Sequence, residues 1–400
     1  MMIPERPVLE RRVLAALDGA AGGGTRIPVV LGGCGTGRTS LLLRLRDLIG
    51  RTSAQYVNVE AIATTPERFL KSLVEASPFS AHPYGRTQGA EPGTRESFDA
   101  SLAFLDTARV SGHAPVTFLL DEFLELRTFE SFPGLRTVLR DLIGALGSSG
   151  NRFVLTTRYA ARAERLLRDA PALFEIIRVS PLTAAEIRAT LPGAPVSRTV
   201  SGSLEDLDDR ARDDLARLVR ALSDGRPAYA RLIAETAAAL AERDAADPVS
   251  ALSALLAPGG ALANACRFCY ELRLHRARGY GALKAILSVL ADEEPLTLTK
   301  IALRLNRTPG STKDYLSWLE DVDLIESREK RYSFIDPMLR LWVRLHGRPA
   351  PPSEEDIARE VQAYVIQRLP QGDAAPGLAM AGAADAGGDR EKTWGIIEID

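Results

Sequence analysis

The chain has 400 residues, of which 46% are hydrophobic and 26% are charged, and its formal net charge is −2. This composition suits two or three globular domains with their own cores, and the near-neutral charge excludes a global electrostatic attraction to nucleic acid or anionic membranes. Three cysteines, no apolar stretch of membrane-spanning length and no leader-like amino end predict a cytoplasmic protein without a membrane segment.

Strand and helix patterns alternate in the first part of the chain. Helical stretches separate five strand-like runs, at 27–31, 54–59, 116–120, 152–156 and 174–179. This alternation predicts an α/β fold built on a parallel sheet. A segment rich in Gly, Pro and polar residues, 78–95, predicts a mobile loop inserted after the second strand.

The rest of the chain predicts three further regions. Residues 182–278 contain only helical patterns, broken at 191–203 and at Gly225-Arg226-Pro227, and predict a helical lid. Three helices and two short strands around Arg328-Glu329-Lys330 then predict a winged helix-turn-helix. An amphipathic helix at 353–369 precedes an Ala/Gly/Asp-rich stretch, 371–389, for which we expect disorder. The predicted boundaries are 1–181 for the sheet domain, 182–278 for the lid, 279–346 for the winged helix and 347–400 for the last helix, spacer and terminal peptide.

A glycine-rich loop joins the first strand to the next helix. Residues 32–40 read GGCGTGRTS, and they fit the phosphate-binding pattern G-x-x-x-x-G-K-[ST] at all but one position. Glycines let the backbone turn its N–H groups onto a polyphosphate, and the helix adds its positive end. The loop therefore predicts bound ATP, with Thr39 as a Mg²⁺ ligand. The predicted nucleotide-binding residues of the loop are Gly32, Gly33, Cys34, Gly35, Thr36, Gly37, Arg38, Thr39 and Ser40.

Arg38 stands where the pattern has lysine. A lysine ammonium is a compact charge, whereas a guanidinium is planar, wider and donates in a fork. We therefore expect nucleotide binding to survive and turnover to be slow. The alternative is a glycine-rich strand-to-helix turn that binds nothing.

Two later strands end in residues suited to nucleotide hydrolysis. Asp121 and Glu122 follow the buried run PVTFLL, and they predict a Mg²⁺ ligand acting through water and a group that polarises the attacking water. The alternative is an acidic pair that solvates a strand end. The next strand ends at Thr157 and Arg158, which could orient water and sense the γ-phosphate. Arg158 could instead act on a neighbouring subunit or pair with a surface carboxylate.

The order of these motifs resembles the AAA+ and STAND branch of P-loop ATPases. Residues 5–346 contain, in order, GGCGTGRTS, FLLDEF, LTTR, SPLTAAEI, DGRPAYARLIA and YSFIDPMLRLW. Within that branch the chain is similar to bacterial and archaeal ATPases that carry a C-terminal winged helix. The resemblance implies that Gly225-Arg226-Pro227 is the GxP motif of the lid, with Pro227 against the adenine, and that Ile335-Asp336-Pro337 faces the ATPase core. It also implies that nucleotide state controls domain arrangement and assembly, although Arg38 and Arg226 depart from the usual lysine and second sensor.

The cysteines leave two interpretations open. Cys266 and Cys269 form a C-x-x-C before His275 in a helical stretch, where residues three apart share one side. This spacing predicts apolar packing, with metal or redox use as the alternative. Cys34 is expected to be a small filler of the loop, in a location that could make it sensitive to oxidation.

The predicted winged helix and the chain end bear on partners. The third helix of the winged unit, 311–320, offers only Lys313 to base edges. Ten basic residues balance ten acidic ones from 279 to 346, which favours a protein-facing or intramolecular role over DNA binding. The terminal peptide, Trp394 to Asp400, predicts docking into a partner's groove or onto its sheet edge, and the alternative is a disordered end. The basic residues that could still contact DNA phosphates are Arg304, Arg307, Arg328, Lys330 and Arg331.

Together these features predict a cytoplasmic ATP-dependent switch that could oligomerise. In this interpretation Thr39 and Asp121 hold Mg²⁺, Glu122 activates water, and ATP repositions the winged helix to control a partner protein. One rival is a DNA-binding initiator or regulator that its ATPase domain loads on DNA. The other is a nucleotide-binding scaffold without turnover.

Overall fold

The structure is a computed structural model that describes residues 6–19, 25–79, 93–110, 114–170, 173–191, 209–241, 247–275 and 279–369. A five-stranded sheet, in which every pair of neighbours is parallel, lies at the centre of its first part. Its strands are β1 Ile27–Leu31, β2 Ala54–Asn58, β3 Thr117–Asp121, β4 Arg152–Thr157 and β5 Phe174–Arg178, in the spatial order β2-β3-β4-β1-β5. The five predicted strands are thus confirmed, with ends that differ by at most one residue.

Helices cover both faces of this sheet, so β1 and β3 are buried along their whole length. One face packs on α1 Pro7–Asp18 and α2 Arg38–Ile49, with Val30 of β1 and Leu42 of α2 in its core. The opposite face packs on α5 Thr94–Thr107 and α6 Val138–Ser148. There Phe118 and Phe153 stack with ring centroids 5.8 Å apart. The remaining helices of this part are α3 Val59–Ile62, α4 Pro66–Glu75, a 3-10 helix at Phe123–Ser131 and α7 Ala160–Leu167.

The strand register brings the functional candidates to one edge. Leu31, the last residue of β1, pairs with Thr157 of β4 and Arg178 of β5. Asn58, at the end of β2, pairs with Asp121. Because parallel strands end at the same edge, the loop after β1, Asp121 and Thr157 lie along the carboxyl edge, where α/β sheets bind ligands.

A helical unit follows β5, as the sequence predicted. Its helices begin with α8 Ala184–Thr190, and the predicted break at 191–203 lies mostly outside the described residues. The break at Gly225-Arg226-Pro227 is the turn between α9 and α10; Gly225 has a φ of 65°, and Pro227 is the first residue of α10. The other helices of this unit are α9 Asp209–Ser223, α10 Pro227–Ala241, α11 Pro248–Leu256 and α12 Ala261–Leu274.

A compact unit of three helices and a three-stranded antiparallel sheet comes next. The hairpin turns at Glu329 and Lys330, which both have positive φ (50° and 60°), as a two-residue turn of the primed type requires. The elements are α13 Tyr280–Asp292, β6 Leu296–Thr297, α14 Leu298–Arg304, α15 Pro309–Asp321, β7 Ile325–Arg328 and β8 Arg331–Phe334, and the strand order is β6-β8-β7.

The last helices tie this unit back to the helical unit that follows β5. They are α16 Pro337–His346 and α17 Glu354–Arg368, and α17 packs on α9, α11 and α16. Tyr364 of α17 donates a hydrogen bond to the Leu222 carbonyl at 2.9 Å, and Arg368 lies 3.0 Å from the Asp224 carboxylate. The predicted boundary at 346 therefore does not mark a detached segment. The spacer 371–389 and the peptide Trp394 to Asp400 lie outside the described residues, as does most of 78–95.

Within the described ranges, no single helix has the length and apolar composition needed to cross a membrane. By those two criteria only the bent pair α11 and α12, which meet at 53°, would pass together.

Candidate functional site

The loop between β1 and α2 is built like a phosphate-binding loop. Gly35 and Gly37 adopt left-handed backbone angles, with φ of 74° and 88°, which residues with a side chain disfavour. Thr36 Oγ1 donates to the Gly33 carbonyl at 2.9 Å and closes the loop. Gly37 is the N-cap of α2, and no side chain caps the first N–H groups of this helix. The loop end of α2 can therefore donate backbone hydrogen bonds to an anion.

The two predicted metal-binding residues, Thr39 and Asp121, are in contact beside this loop. Thr39 Oγ1 donates to Asp121 Oδ2 at 2.7 Å, and the Tyr56 hydroxyl donates to the same oxygen at 2.9 Å. Thr156 Oγ1 donates to the other carboxylate oxygen. Three hydroxyls thus surround a carboxylate that is only 3% exposed. Burial, followed by the Asp121 charge, raises the pKa of Tyr56, so its hydroxyl stays a donor at neutral pH.

Glu122 is held in place from several directions. Its φ of 57° lies in the left-handed region, which costs a residue with a side chain about 1–3 kcal/mol. Its backbone N–H donates to Thr156 Oγ1 at 3.3 Å, and its carboxylate accepts the Arg158 backbone N–H at 3.0 Å. Such strain is characteristic of functional sites whose surroundings fix one side-chain position.

The Arg38 guanidinium connects the loop to Glu122. Its Nη1 donates to the Gly33 carbonyl at 2.6 Å, and its Nη2 forms an ion pair with Glu122 Oε1. Both side chains are almost fully buried, at 8% and 7% exposure. A guanidinium has a fork that can hold two acceptors at once, which an ammonium at the same position would do less well.

Arg158 completes a buried chain of charges. Its Nε lies 3.1 Å from Glu122 Oε1, and its Nη2 forms an ion pair with Glu60, on α3. Burial opposes the charge of Arg158, but Glu122 and Glu60 outweigh it and hold its pKa above the usual arginine value. Arg158 is thus ion-paired within the chain. One of the alternatives for this residue was a pair with a surface carboxylate, and its observed partners, Glu60 and Glu122, lie at the carboxyl edge of the sheet.

Thr157 does not face this cluster. It is fully buried, and its Oγ1 accepts the Tyr159 backbone N–H at 3.2 Å. The preceding residue, Thr156, contacts Asp121 instead. Because successive strand residues point to opposite faces, only one of the two threonines can reach the carboxylates.

Helix α10 lies directly against the loop. Ala228 N–H donates to the Gly35 carbonyl at 3.1 Å, and a methyl group at Gly37 would lie 3.7 Å from Pro227 Cγ. Loop and helix together enclose a cleft of about 370 Å³. Arg231, one turn along α10, also lines this cleft, is exposed, and has no ion-pair partner among the described residues. The residues around the cleft are Gly33, Gly35, Thr36, Gly37, Arg38, Thr39, Ser40, Pro227, Ala228 and Arg231.

Arg226 links the loop to the C-terminal unit. It donates to the Cys34 carbonyl and to the Ile335 carbonyl, both at 3.3 Å, and its Nη1 lies 3.2 Å from Asp336 Oδ2. Asp336 also accepts the Tyr229 hydroxyl at 2.8 Å. Ile335 and Asp336 therefore contact the turn between α9 and α10 and, through Arg226, the loop.

The α15 end of the C-terminal unit meets the sheet domain. Arg165 of α7 forms an ion pair with Asp321, and Ala161 N–H donates to Asp323 Oδ1 at 3.3 Å. Burial raises the pKa of Asp323 to about 6. The end of the helix that would enter a DNA groove in a winged unit thus faces this chain's own α7.

The cysteines do not form a metal site in the described part of the chain, where no group of three or more His, Cys, Asp and Glu side chains comes together. Cys266 is fully buried in the core, which agrees with its predicted apolar packing. Cys269 and Cys34 are half-buried, and Arg273 Nη2 lies 3.6 Å from Cys34 Sγ. The loop cysteine is thus in contact with α12.

Five residues of this site were not predicted from the sequence, although Thr156 and Arg231 lie inside the motifs LTTR and DGRPAYARLIA. Each lies next to a predicted residue in space but far from it along the chain, so only the tertiary fold could reveal it. One signal was available, since parallel strands end at one edge and Tyr56 lies near the end of the second strand. The five residues are Tyr56, Glu60, Thr156, Arg231 and Arg273.

Comparison with known proteins supports the fold. No protein-family model and no curated protein matches the chain. A Walker-type ATPase of Pyrococcus abyssi superposes with a TM-score of 0.60 at 16% identity, over 86% of this chain and 96% of that one. Weaker similarities are to the Orc1 protein of Aeropyrum pernix, solved in complex with DNA (TM-score 0.44, 18% identity, 92% and 95% covered), and to the Thermotoga maritima RuvB Holliday junction branch migration motor (0.40, 12%, 82% and 92%). The first similarity shows that the chain has the fold of a Walker-type P-loop ATPase.

Proposed function

We propose that this chain binds Mg-ATP in the loop 32–40 and hydrolyses it slowly, as a switch ATPase of the AAA+ and STAND kind. The observation that carries this proposal is the 2.7 Å contact between Thr39 Oγ1 and Asp121 Oδ2. The two residues lie on different elements, α2 and β3, and they meet beside a helix N-terminus whose N–H groups no side chain caps. A hydroxyl and a carboxylate at this position are the donors that a nucleotide-bound magnesium ion uses.

The residues present fit Mg²⁺. Thr39 and Asp121 offer hard oxygen ligands, and the Tyr56 and Thr156 hydroxyls each donate a hydrogen bond to the Asp121 carboxylate. When bound, the ion would neutralise phosphate charge. Asp121 would contact it through water, and Thr39 would contact it through its hydroxyl.

Slow turnover follows from the state of Glu122. A general base needs a free carboxylate within reach of the attacking water. Here the Glu122 carboxylate is ion-paired with both Arg38 and Arg158. At least one of these guanidiniums has to withdraw before Glu122 can act on water, and an arginine in the lysine position makes that state less accessible than a lysine would.

Arg231 supports a nucleotide in the adjoining cleft. It is a cation on the lid helix that faces the loop without an ion-pair partner in the described ranges. A triphosphate in the loop would provide that partner. Pro227 lines the same cleft. The resemblance to AAA+ and STAND proteins implies that this proline contacts the adenine.

The contacts of Arg226 support a switch. The Arg226 side chain contacts the loop at the Cys34 carbonyl. It also contacts the C-terminal unit, at the Ile335 carbonyl and at the Asp336 carboxylate. A ligand that shifts the loop therefore disturbs the seat of the C-terminal unit, which we propose to be a winged helix. Because the end of α15 faces α7, we propose that this unit acts within the chain or on a protein rather than on DNA.

The partner is a protein in this proposal, and the peptide Trp394 to Asp400 is the segment whose composition favours contact with it. Apolar anchors beside carboxylates suit a groove or a sheet edge. Affinity capture with the full chain and with a chain ending at residue 393 tests this part. A partner that is retained by both chains would contradict it.

Nucleotide binding and phosphate release by the wild type and by Glu122→Gln test the activity. We expect both proteins to bind Mg-ATP and only the wild type to release phosphate. Binding with equal absence of release would leave a nucleotide-binding scaffold. Absence of binding by either protein would reject the proposal.

A further inference from the structure

The fold joins two cysteines that are far apart in the sequence. Cys34 lies in the phosphate loop and Cys269 on α12, and the side chains of the two cysteines interact electrostatically. Arg273, one helical turn beyond Cys269, lies 3.6 Å from Cys34 Sγ, so the same side of α12 faces the loop. Neither sulfur is needed for the packing of the sheet, and the proposed ATPase chemistry uses neither.

The surroundings favour a reactive thiol at Cys34. The interaction with Cys269 lowers the pKa of Cys34 against the effect of burial, and the nearby Arg273, Arg158 and Arg38 lower it further. The thiolate is the nucleophilic form of cysteine. As whole residues, Cys34 and Cys269 are half-buried, whereas Cys266 is buried.

Cys266 provides an internal contrast. It lies on the same helix, one turn before Cys269, but it is fully buried. Burial raises the pKa of its thiol. It should therefore stay a protonated, unreactive thiol, although it completes the C-x-x-C pattern with Cys269.

We propose that Cys34 and Cys269 are a peroxide-sensitive pair that closes into a disulfide and fastens the phosphate loop to α12. The Cys34 thiolate attacks one oxygen of a hydroperoxide, forms a sulfenic acid and releases an alcohol, or water when the oxidant is hydrogen peroxide. The Cys269 thiol then attacks the sulfenic sulfur. The S–S bond forms, and the sulfenic hydroxyl leaves as water with the Cys269 thiol proton. Two thiols are oxidised, one peroxide is reduced, and both thiol protons end in the products.

The consequence of the bond rests on the proposed function. A disulfide between the loop and α12 fixes the loop against the helical unit and holds Arg273 beside it. Nucleotide could then neither enter nor be released by separation of loop and lid, so turnover would stop until a thiol reductant cleaved the bond. Reversible disulfides of this kind are the usual form in reducing compartments.

Tryptic mapping of the full chain tests the bond itself. Trypsin separates the three cysteines, because Cys34 falls in the peptide 27–38, Cys266 in 244–267 and Cys269 in 268–273. After hydrogen peroxide and alkylation without reductant, we expect 27–38 linked to 268–273, and 244–267 alkylated. A link between 244–267 and 268–273, or alkylation of all three peptides, would overturn the proposal.

Two serine variants and a turnover assay complete the test. Cys269→Ser should abolish the link, whereas Cys266→Ser, a matched change on the same helix, should keep it; circular dichroism confirms that both fold. Peroxide should then abolish ATP turnover of the wild type and of Cys266→Ser, with recovery in dithiothreitol, and leave Cys269→Ser active. Turnover of Cys269→Ser that is lost to the same degree would overturn the regulatory role. If the chain forms the link after peroxide but its reduced form does not bind nucleotide, the result would reject the proposed function and leave the disulfide proposal standing.

Discussion

The Arg38 guanidinium, at the position where phosphate-binding loops carry lysine, forms a buried ion pair with Glu122, the carboxylate expected to activate water. The same guanidinium donates to the Gly33 carbonyl of the loop at 2.6 Å. One substitution in a motif thus connects the two halves of the proposed active site.

Arg38→Lys should raise the rate of phosphate release. A lysine keeps the positive charge but cannot hold the Gly33 carbonyl and Glu122 together with a planar fork, so Glu122 is released toward water. Glu122→Gln in the Arg38→Lys background should lower the rate again, by about 10²-fold or more, because a positioned general base contributes 10²–10⁴-fold. Steady-state phosphate release measures both changes. A slower Arg38→Lys protein with unchanged ATP affinity would show that the arginine assists turnover.

Thr39→Ala should weaken nucleotide binding in the presence of Mg²⁺ and leave the metal-free affinity nearly unchanged. The variant removes one oxygen donor beside Asp121 but no loop N–H group. Thr39→Ser is the matched control, because it retains the hydroxyl. Fluorescence titration with and without EDTA measures the effect. Equal loss of affinity in both conditions would mean that Thr39 acts through the loop's structure instead.

Arg231→Ala should raise the Kd for Mg-ATP by about tenfold or more, since a charge-assisted hydrogen bond contributes about 1.5–3 kcal/mol. Arg231 lines the cleft beside the loop, where a triphosphate would be its partner. Arg217→Ala, on the neighbouring helix α9, is the control, because Arg217 is exposed and pairs with Asp214. Equal Kd values for Arg231→Ala and the wild type would remove Arg231 from the site.

Asp336→Ala should lower the free energy of unfolding by about 3–5 kcal/mol, because it leaves the buried Arg226 guanidinium without its carboxylate. It also removes the acceptor for the Tyr229 hydroxyl and the N-cap of α16. Asp336→Asn keeps the cap and should cost less. In a double variant with Asp336→Ala and Arg226→Met, the loss of unfolding free energy should differ from the sum of the two single losses by about 0.5–3 kcal/mol. Additive losses in urea denaturation would show that the pair does not couple the lid to the C-terminal unit.

Asp323 should give the fold a pH-dependent contribution in the acid range. Its pKa is raised to about 6 in the folded chain from a model-compound value of 3.8, because the carboxyl is buried at the contact with α7. The folded state therefore binds a proton more tightly than the unfolded state, and stability falls as the pH rises from about 4 to 6. Asp323→Asn should remove this loss, which amounts to about 2–3 kcal/mol. Parallel unfolding midpoints of the two proteins between pH 4 and 7 would contradict this assignment.

Duplex DNA should bind weakly, with no difference between the wild type and a variant in which Arg328, Lys330 and Arg331 are alanine. These residues are exposed at the β7–β8 hairpin, but the balanced charge of residues 279–346 gives little net attraction to phosphates. Anisotropy titrations at two salt concentrations measure the affinity. A steeply salt-dependent affinity that the triple variant loses would favour the DNA-binding rival.

The centre of the sheet could be predicted from sequence because β1, β3 and β4 are largely apolar runs that end next to Gly32, at Asp121 and at Thr157. The same holds for the lid break at Gly225-Arg226-Pro227 and for the hairpin at Glu329 and Lys330, where local chemistry fixes the turn. Partners across the fold could not be predicted. Nothing near Arg38 in the sequence indicates Glu122 as its ion-pair partner, and nothing near Cys34 indicates Cys269. Which of two successive strand residues faces a site is not visible in the sequence, so the sequence predicts Thr157 for water orientation, whereas Thr156 contacts the Asp121 carboxylate.

Calorimetric titration of Mg-ATP into the full chain tests the central claim most directly. Gly37→Ala and Gly50→Ala form a matched pair, because both glycines have positive φ (88° and 107°) but only Gly37 lies in the loop. We expect saturable binding to the wild type and to Gly50→Ala, and loss of binding to Gly37→Ala. No heat with the wild type, or equal binding by both variants, would contradict a nucleotide site in this loop.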